Sequence, residues 1–125
     1  MPRIVHFELP YDDAGRARKF YEEVFGWQVQ GWGDMPTYQL ATTGSDGLGI
    51  DGALYQRQAP DTGVLVYVAV PDLVETLAQA ERAGASVVRP KTQIGGVGWS
   101  ALVRDPEGNL LGLFESDMQV DEGGS

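Results

Sequence analysis

At 125 residues, with no cysteine, the chain is long enough to bury about two-thirds of its unfolded surface and needs no covalent staple. Its formal net charge of -9 argues against a nucleic-acid partner, because phosphate binding relies on clustered Lys and Arg. There is no basic-then-apolar opening and no apolar run of about 18 residues, so neither a signal peptide nor a membrane span is expected, and a cytoplasmic location follows.

In chain order, Ile4 to Leu9 reads as a strand with two different faces. Alternation puts Val5, Phe7 and Leu9 on an apolar face that should lie beneath a helix, and leaves His6 and Glu8 on the other. The helix follows Asp13, with Ala14, Ala17, Phe20, Tyr21, Val24 and Phe25 at near-helical spacing, and Gly26 stands at the position of a left-handed C-terminal cap. Gln28 to Trp32 and Thr37 to Thr42 read as strands, and Ser45-Asp46-Gly47 turns the chain into another over about Gly49 to Tyr55. The polar stretch Gln58 to Gly63 reads as a link.

Beyond the link the order repeats. VYVAV precedes a capping box of Asp72 and Glu75, a helix carrying Leu73, Leu77 and Ala80 ends near Gly84, and a strand follows. Trp99 to Arg104 and Asn109 to Phe114 flank DPEG, in which Asp105, Pro106 and Gly108 suit a type I turn. The tail at 117–125 is acidic and reads as flexible.

A unit of this size cannot bury its own apolar face, so a repeat implies two units packed together. The expected fold is α+β: one domain over residues 1–116, made of two tandem β-α-β-β-β modules at about 3–57 and 60–116, forming an open, curved mixed sheet around a cleft. Pockets favour such seams. Unpaired sheet edges make a homodimer the expected assembly.

The run from His6 to Trp27, with Phe20-Tyr21 and Phe25-Gly26, resembles the opening of the vicinal oxygen chelate superfamily, which includes glyoxalase I, extradiol dioxygenases and bleomycin and fosfomycin resistance proteins. Pro90-Lys91, the run Gly96 to Trp99, and Asp105 to Asn109 followed by LLGLFE are similar to its glyoxalase-related branch. The resemblance implies a metal that holds two adjacent substrate oxygens as a Lewis acid. It places the four ligand positions at His6, Leu65, Gly52 and Gly112, of which only His6 carries a lone pair for a metal. No cofactor is therefore expected, with a divalent metal as the alternative.

Three roles are open to His6: metal ligand, hydrogen-bonding cleft residue, or general acid or base. Glu8 is open to use as a base, as a ligand contact, or as a structural ion-pair partner. The catalytic candidates are His6 and Glu8; the ligand-binding candidates are Tyr67, which aligns with Glu8 across the repeat, with Gly52, Gly112 and Phe114, and Trp99 at the mouth. The expected partner is a small organic molecule. Either the chain is a lyase- or isomerase-type enzyme acting on a proton next to a carbonyl, or it sequesters an apolar or cationic compound without catalysis.

Overall fold

The computed structural model describes residues 2–59 and 62–117, so the proline of the link and most of the acidic tail lie outside the described residues. The chain packs as two compact units, residues 5–66 and residues 67–117 with residues 2–4. Each has the same order of elements, and the class is α+β, as the repeat implies.

In the first unit β1 (Arg3–Tyr11) leads to α1 (Ala14–Phe25), then β2 (Gln28–Trp32), β3 (Met35–Thr42) and β4 (Gly52–Gln56). The strands lie in the order β2-β3-β4-β1, with β1 and β4 parallel and the other pairs antiparallel. Asp13 starts α1 because its carboxylate accepts the Arg16 N–H at 3.0 Å, satisfying a donor that the first helical turn leaves open. Gly26 ends it with φ 73°, a left-handed backbone conformation that residues with a Cβ rarely adopt. The helix-side face of the sheet carries Tyr11, Val29, Ala41 and Leu54, with Leu9, Ala14, Ala17, Tyr21 and Trp27 packed against them. Phe7 joins this face, its ring 5.6 Å from that of Trp27. The two faces of the first strand are therefore as the alternation predicts.

The second unit repeats the plan with β5 (Leu65–Ala69), α2 (Leu73–Arg82), β6 (Ser86–Ile94), β7 (Gly98–Arg104) and β8 (Leu110–Ser116), the strands in the order β5-β8-β7-β6. Val70, Leu73, Ala101, Val103 and Leu113 form its core beneath α2. Asp72 caps α2 by accepting the Glu75 N–H, and a second acceptor comes from far along the chain, where Glu115 Oε1 takes the Leu73 N–H at 2.8 Å. The DPEG turn holds because Asp105 accepts the N–H groups of Glu107 and Asn109, bonds that keep its carboxyl below the usual carboxylate range. β6 is the strand expected after Gly84, and its pairing to β7 slips on both sides of Arg89.

Candidate functional site

The register of β1 decides which side chains stand away from α1. Phe7 and Leu9 pair with Gly52 and Leu54 on the helix side, so His6 and Glu8 fall on the opposite face with Ala53 and Tyr55, the β4 partners of Glu8 and Pro10. On β3, Tyr38 is the direct partner of Tyr55 and shares that face. The three polar groups meet there. Tyr38 donates its hydroxyl hydrogen to Glu8 Oε2 at 2.6 Å, and the Tyr38 hydroxyl oxygen lies 2.9 Å from His6 Nε2. Because the phenol hydrogen is committed to the carboxylate, His6 must donate from Nε2, which fixes its tautomer.

Glu8 is 8 % exposed, and its carboxylate is 3.8 Å from His6 Nε2. A charge this buried persists where hydrogen bonds replace its lost water, which the Tyr38 hydroxyl does at a charge-assisted length. Burial holds the His6 imidazole below its ordinary range, although Glu8 and then Asp51 pull it upward. Burial also raises the Tyr55 phenol, reinforced by the Glu8 charge and opposed by Arg57. Trp32 completes the aromatic side of the site, its ring centroid 5.6 Å from that of Tyr38.

The sign of the His6 shift gives a measurable consequence. Its folded value lies below 6.5, so the unfolded chain binds the proton more readily. The His6 contribution is fully present above the unfolded value and is lost as pH falls through the folded one. The stability difference between wild type and His6→Gln, read from urea midpoints, is therefore expected to shift against the wild type between about pH 7 and about pH 5. Parallel profiles for the two proteins would show that His6 is not desolvated.

The remaining candidates divide by face. In the second unit Tyr67 and Gly112 are parallel partners and Phe114 shares their side, away from α2. Tyr67 is buried, and its ring occupies the space over Gly112 into which a Cβ would project. Gly112 therefore makes room for a neighbouring ring. The same holds for Gly52, which faces α1 and is covered by Phe7. Trp99 also faces its helix, packing against the core beneath α2, with Lys91 Nζ 4.8 Å from its ring centroid. Gly52 and Trp99 are thus on the opposite faces from His6 and Tyr67, respectively.

The reason for the Gly52 placement is a one-residue offset. Tyr67 is the repeat counterpart of Glu8, and because Glu8 pairs with Ala53 while Tyr67 pairs with Gly112, the counterpart of Gly112 is Ala53. One step along a strand reverses the face. Tyr38 and Tyr55 escaped the sequence reading altogether. The signal for them was the turn at Ser45-Asp46-Gly47, which sets two strands antiparallel and brings one tyrosine opposite the other.

With the offset corrected, the four metal positions of the resemblance hold His6, Ala53, Leu65 and Gly112: one imidazole and three positions without a donor. Divalent transition ions need several nitrogen, oxygen or sulfur ligands, so these side chains do not fit one. Among the described residues no three His, Cys, Asp or Glu side chains gather as a metal-holding group, and no helix is long and apolar enough to cross a membrane.

Comparison with known proteins agrees with the fold. A putative glyoxylase, CFP32, of Mycobacterium bovis is 26% identical over 122 residues, covering 90% of this chain and 45% of that protein. The chain thus spans less than half the length of this relative. A hypothetical protein from Bacillus halodurans C-125 has a similar structure, with a TM-score of 0.71 at 14% identity over 97% of this chain and 99% of that one. Methylmalonyl-CoA epimerase from Mycobacterium tuberculosis is similar at a TM-score of 0.66 and 16% identity, covering 92% and 88%. Residues 3–113 match the profile of the Glyoxalase/Bleomycin resistance protein/Dioxygenase superfamily, and with the paired β-α-β-β-β modules this shows that the chain belongs to that superfamily.

Proposed function

We propose that the chain binds a small organic carbonyl compound on the β1-β4-β3 face of its first unit and moves a proton at the carbon next to the carbonyl, an isomerase-type reaction. The observation that carries this reading is the Tyr38 hydroxyl shared between His6 Nε2 at 2.9 Å and the buried Glu8 carboxylate at 2.6 Å. Glu8 is the base. As it takes the proton from carbon, the C–H electron pair moves toward the carbonyl oxygen. The Tyr38 hydrogen, no longer held by a carboxylate, turns to that oxygen, while His6 Nε2–H continues to support the phenol oxygen. The Glu8 carboxyl trades its proton with water, and return of that solvent-derived proton to the same face of the carbon completes an exchange. Delivery of a proton from water to the opposite face, with Glu8 losing its own to water, completes an isomerisation, in both cases with no net change of charge. The methylmalonyl-CoA epimerases of similar structure carry that kind of name, and at 16–20% identity their likeness bears on the fold alone.

The test is solvent exchange. Thioesters and 2-substituted carbonyl acids are incubated with the protein in D2O, and loss of the proton next to the carbonyl is followed by proton NMR. Wild type is expected to accelerate exchange for at least one of them. Glu8→Gln should slow it about tenfold or more and Tyr38→Phe by a smaller factor, both with a native fold. Exchange that survives Glu8→Gln unchanged would remove Glu8 from the reaction.

A second reading rests on Trp32 and Tyr38 standing beside the buried Glu8 carboxylate, an arrangement that also suits an organic cation. Saturable binding of an aromatic amine, weakened by Glu8→Gln, in the absence of any exchange would favour sequestration.

A further inference from the structure

We propose that Arg89 and Ser100 form a carboxylate-binding subsite on the face of the second unit turned away from α2. This goes beyond the reading of His6 and Glu8, which belong to the first unit, and either can fail alone.

The backbone of β6 is what delivers the arginine. Val87 pairs with Val103 and packs into the core beneath α2, so in a regular strand Arg89, two residues on, would point to the same side. The register slips between Val87 and Arg89 and again between Arg89 and Thr92, and bulges of this kind re-aim side chains. Arg89 is turned to the other face, where its Nη2 donates to the Ser100 hydroxyl at 2.5 Å. Ser100 is the β7 partner of Phe114, which fixes that face as the one carrying Tyr67 and Gly112.

Among the described residues no acid neutralises the Arg89 guanidinium, although the chain carries 18 acids against nine bases. Its Nε is buried without a hydrogen-bond partner. A half-buried cation with an unmet donor is costly unless an anion completes it. Ser100, itself 4 % exposed, accepts from Arg89 and so keeps its own hydroxyl hydrogen to donate. The remaining Nη hydrogens and the serine O–H together offer a short row of donors to one planar anion.

A carboxylate fits better than a phosphate. Lys91, the nearest basic residue along β6, is taken up by Glu115 at 3.7 Å and by the Trp99 ring, which face α2, so Arg89 supplies a single positive charge. Leu102, the β7 partner of Arg89, and Phe114 give apolar surface for the carbon skeleton of an organic acid.

The experiment titrates the ¹⁵N-labelled full chain with benzoate, with its neutral analogue benzamide and with inorganic phosphate, following the Arg89 Nε–H and the Ser100 and Gly112 amides. Benzoate is expected to shift these signals saturably, at least tenfold more tightly than benzamide. Arg89→Gln should weaken benzoate at least tenfold, and Arg89→Lys should recover only part, because a point charge lacks the planar fork. Equal shifts by benzoate in wild type and Arg89→Gln would overturn the subsite, and phosphate binding more tightly than benzoate would overturn its assignment to carboxylates. Should Arg89→Gln fail to fold, the wild-type Nε–H signal decides, since a signal unmoved by benzoate would also overturn it.

Discussion

Gly112→Glu is expected to cost the fold about 3–5 kcal/mol, and to give no metal centre in return. Glutamate would supply a carboxylate at one of the four positions to which the superfamily resemblance assigns a metal ligand. Here the space beyond the Gly112 Cα is filled by the Tyr67 ring, so a Cβ of any kind would collide with it. Overpacking a closed site costs about 1–3 kcal/mol, and placing a carboxylate at a buried position beside an aromatic ring adds a desolvation cost of similar size. Removing the ring tests the cause. In the Tyr67→Ala background Gly112→Glu should be better tolerated by about 1–3 kcal/mol, a coupling that urea unfolding of the four proteins would read directly. A Gly112→Glu protein as stable as wild type would mean that the ring does not close this position.

Leu73→Ala should destabilise by a comparable amount, about 3–5 kcal/mol, through a different mechanism. Leu73 is the first residue of α2, is 0 % exposed and packs among Val70, Ala101, Val103 and Leu113. Truncation leaves a void that strands on one side and a capped helix on the other cannot readily collapse into. Its neighbour Val74 is 61 % exposed, so Val74→Ala serves as the control and should change the unfolding midpoint by much less. Similar losses for the two variants would indicate that α2 does not dock through Leu73.

Most of the fold was legible because its signals are local. Asp13, Gly26 and Asp72 cap helices where the sequence suggested, and the period-two pattern of β1 separated Phe7 and Leu9 from His6 and Glu8. What was not legible depends on register between strands. The pairing of Tyr38 with Tyr55, and so the hydroxyl that bridges His6 and Glu8, follows from how far the β3-β4 connection slides one strand along another. Two glycines that look equivalent in the repeat, Gly52 and Gly112, lie on opposite faces because they sit one step out of phase. Trp99 shows the same limit: its position after a glycine loop suggests a mouth, while its partner Glu115 places it over the α2 core. Arg89 was invisible for a further reason, since alternation breaks down where a strand bulges.

The bond from Leu73 N–H to Glu115 joins positions 42 residues apart, and it bears on the order in which the molecule can be made. In each unit the last strand to be synthesised lies between the first and the rest: β4 between β3 and β1, and β8 between β7 and β5. No sheet can therefore be completed from its beginning outward. A growing chain can close the first unit's strands once Gln56 has cleared the ribosome, while α2 waits, its first turn short of an acceptor, until the chain has emerged through Glu115. Pairings between distant positions fold slowly, so for as long as β8 is missing the apolar underside of α2 remains a surface that chaperones can recognise.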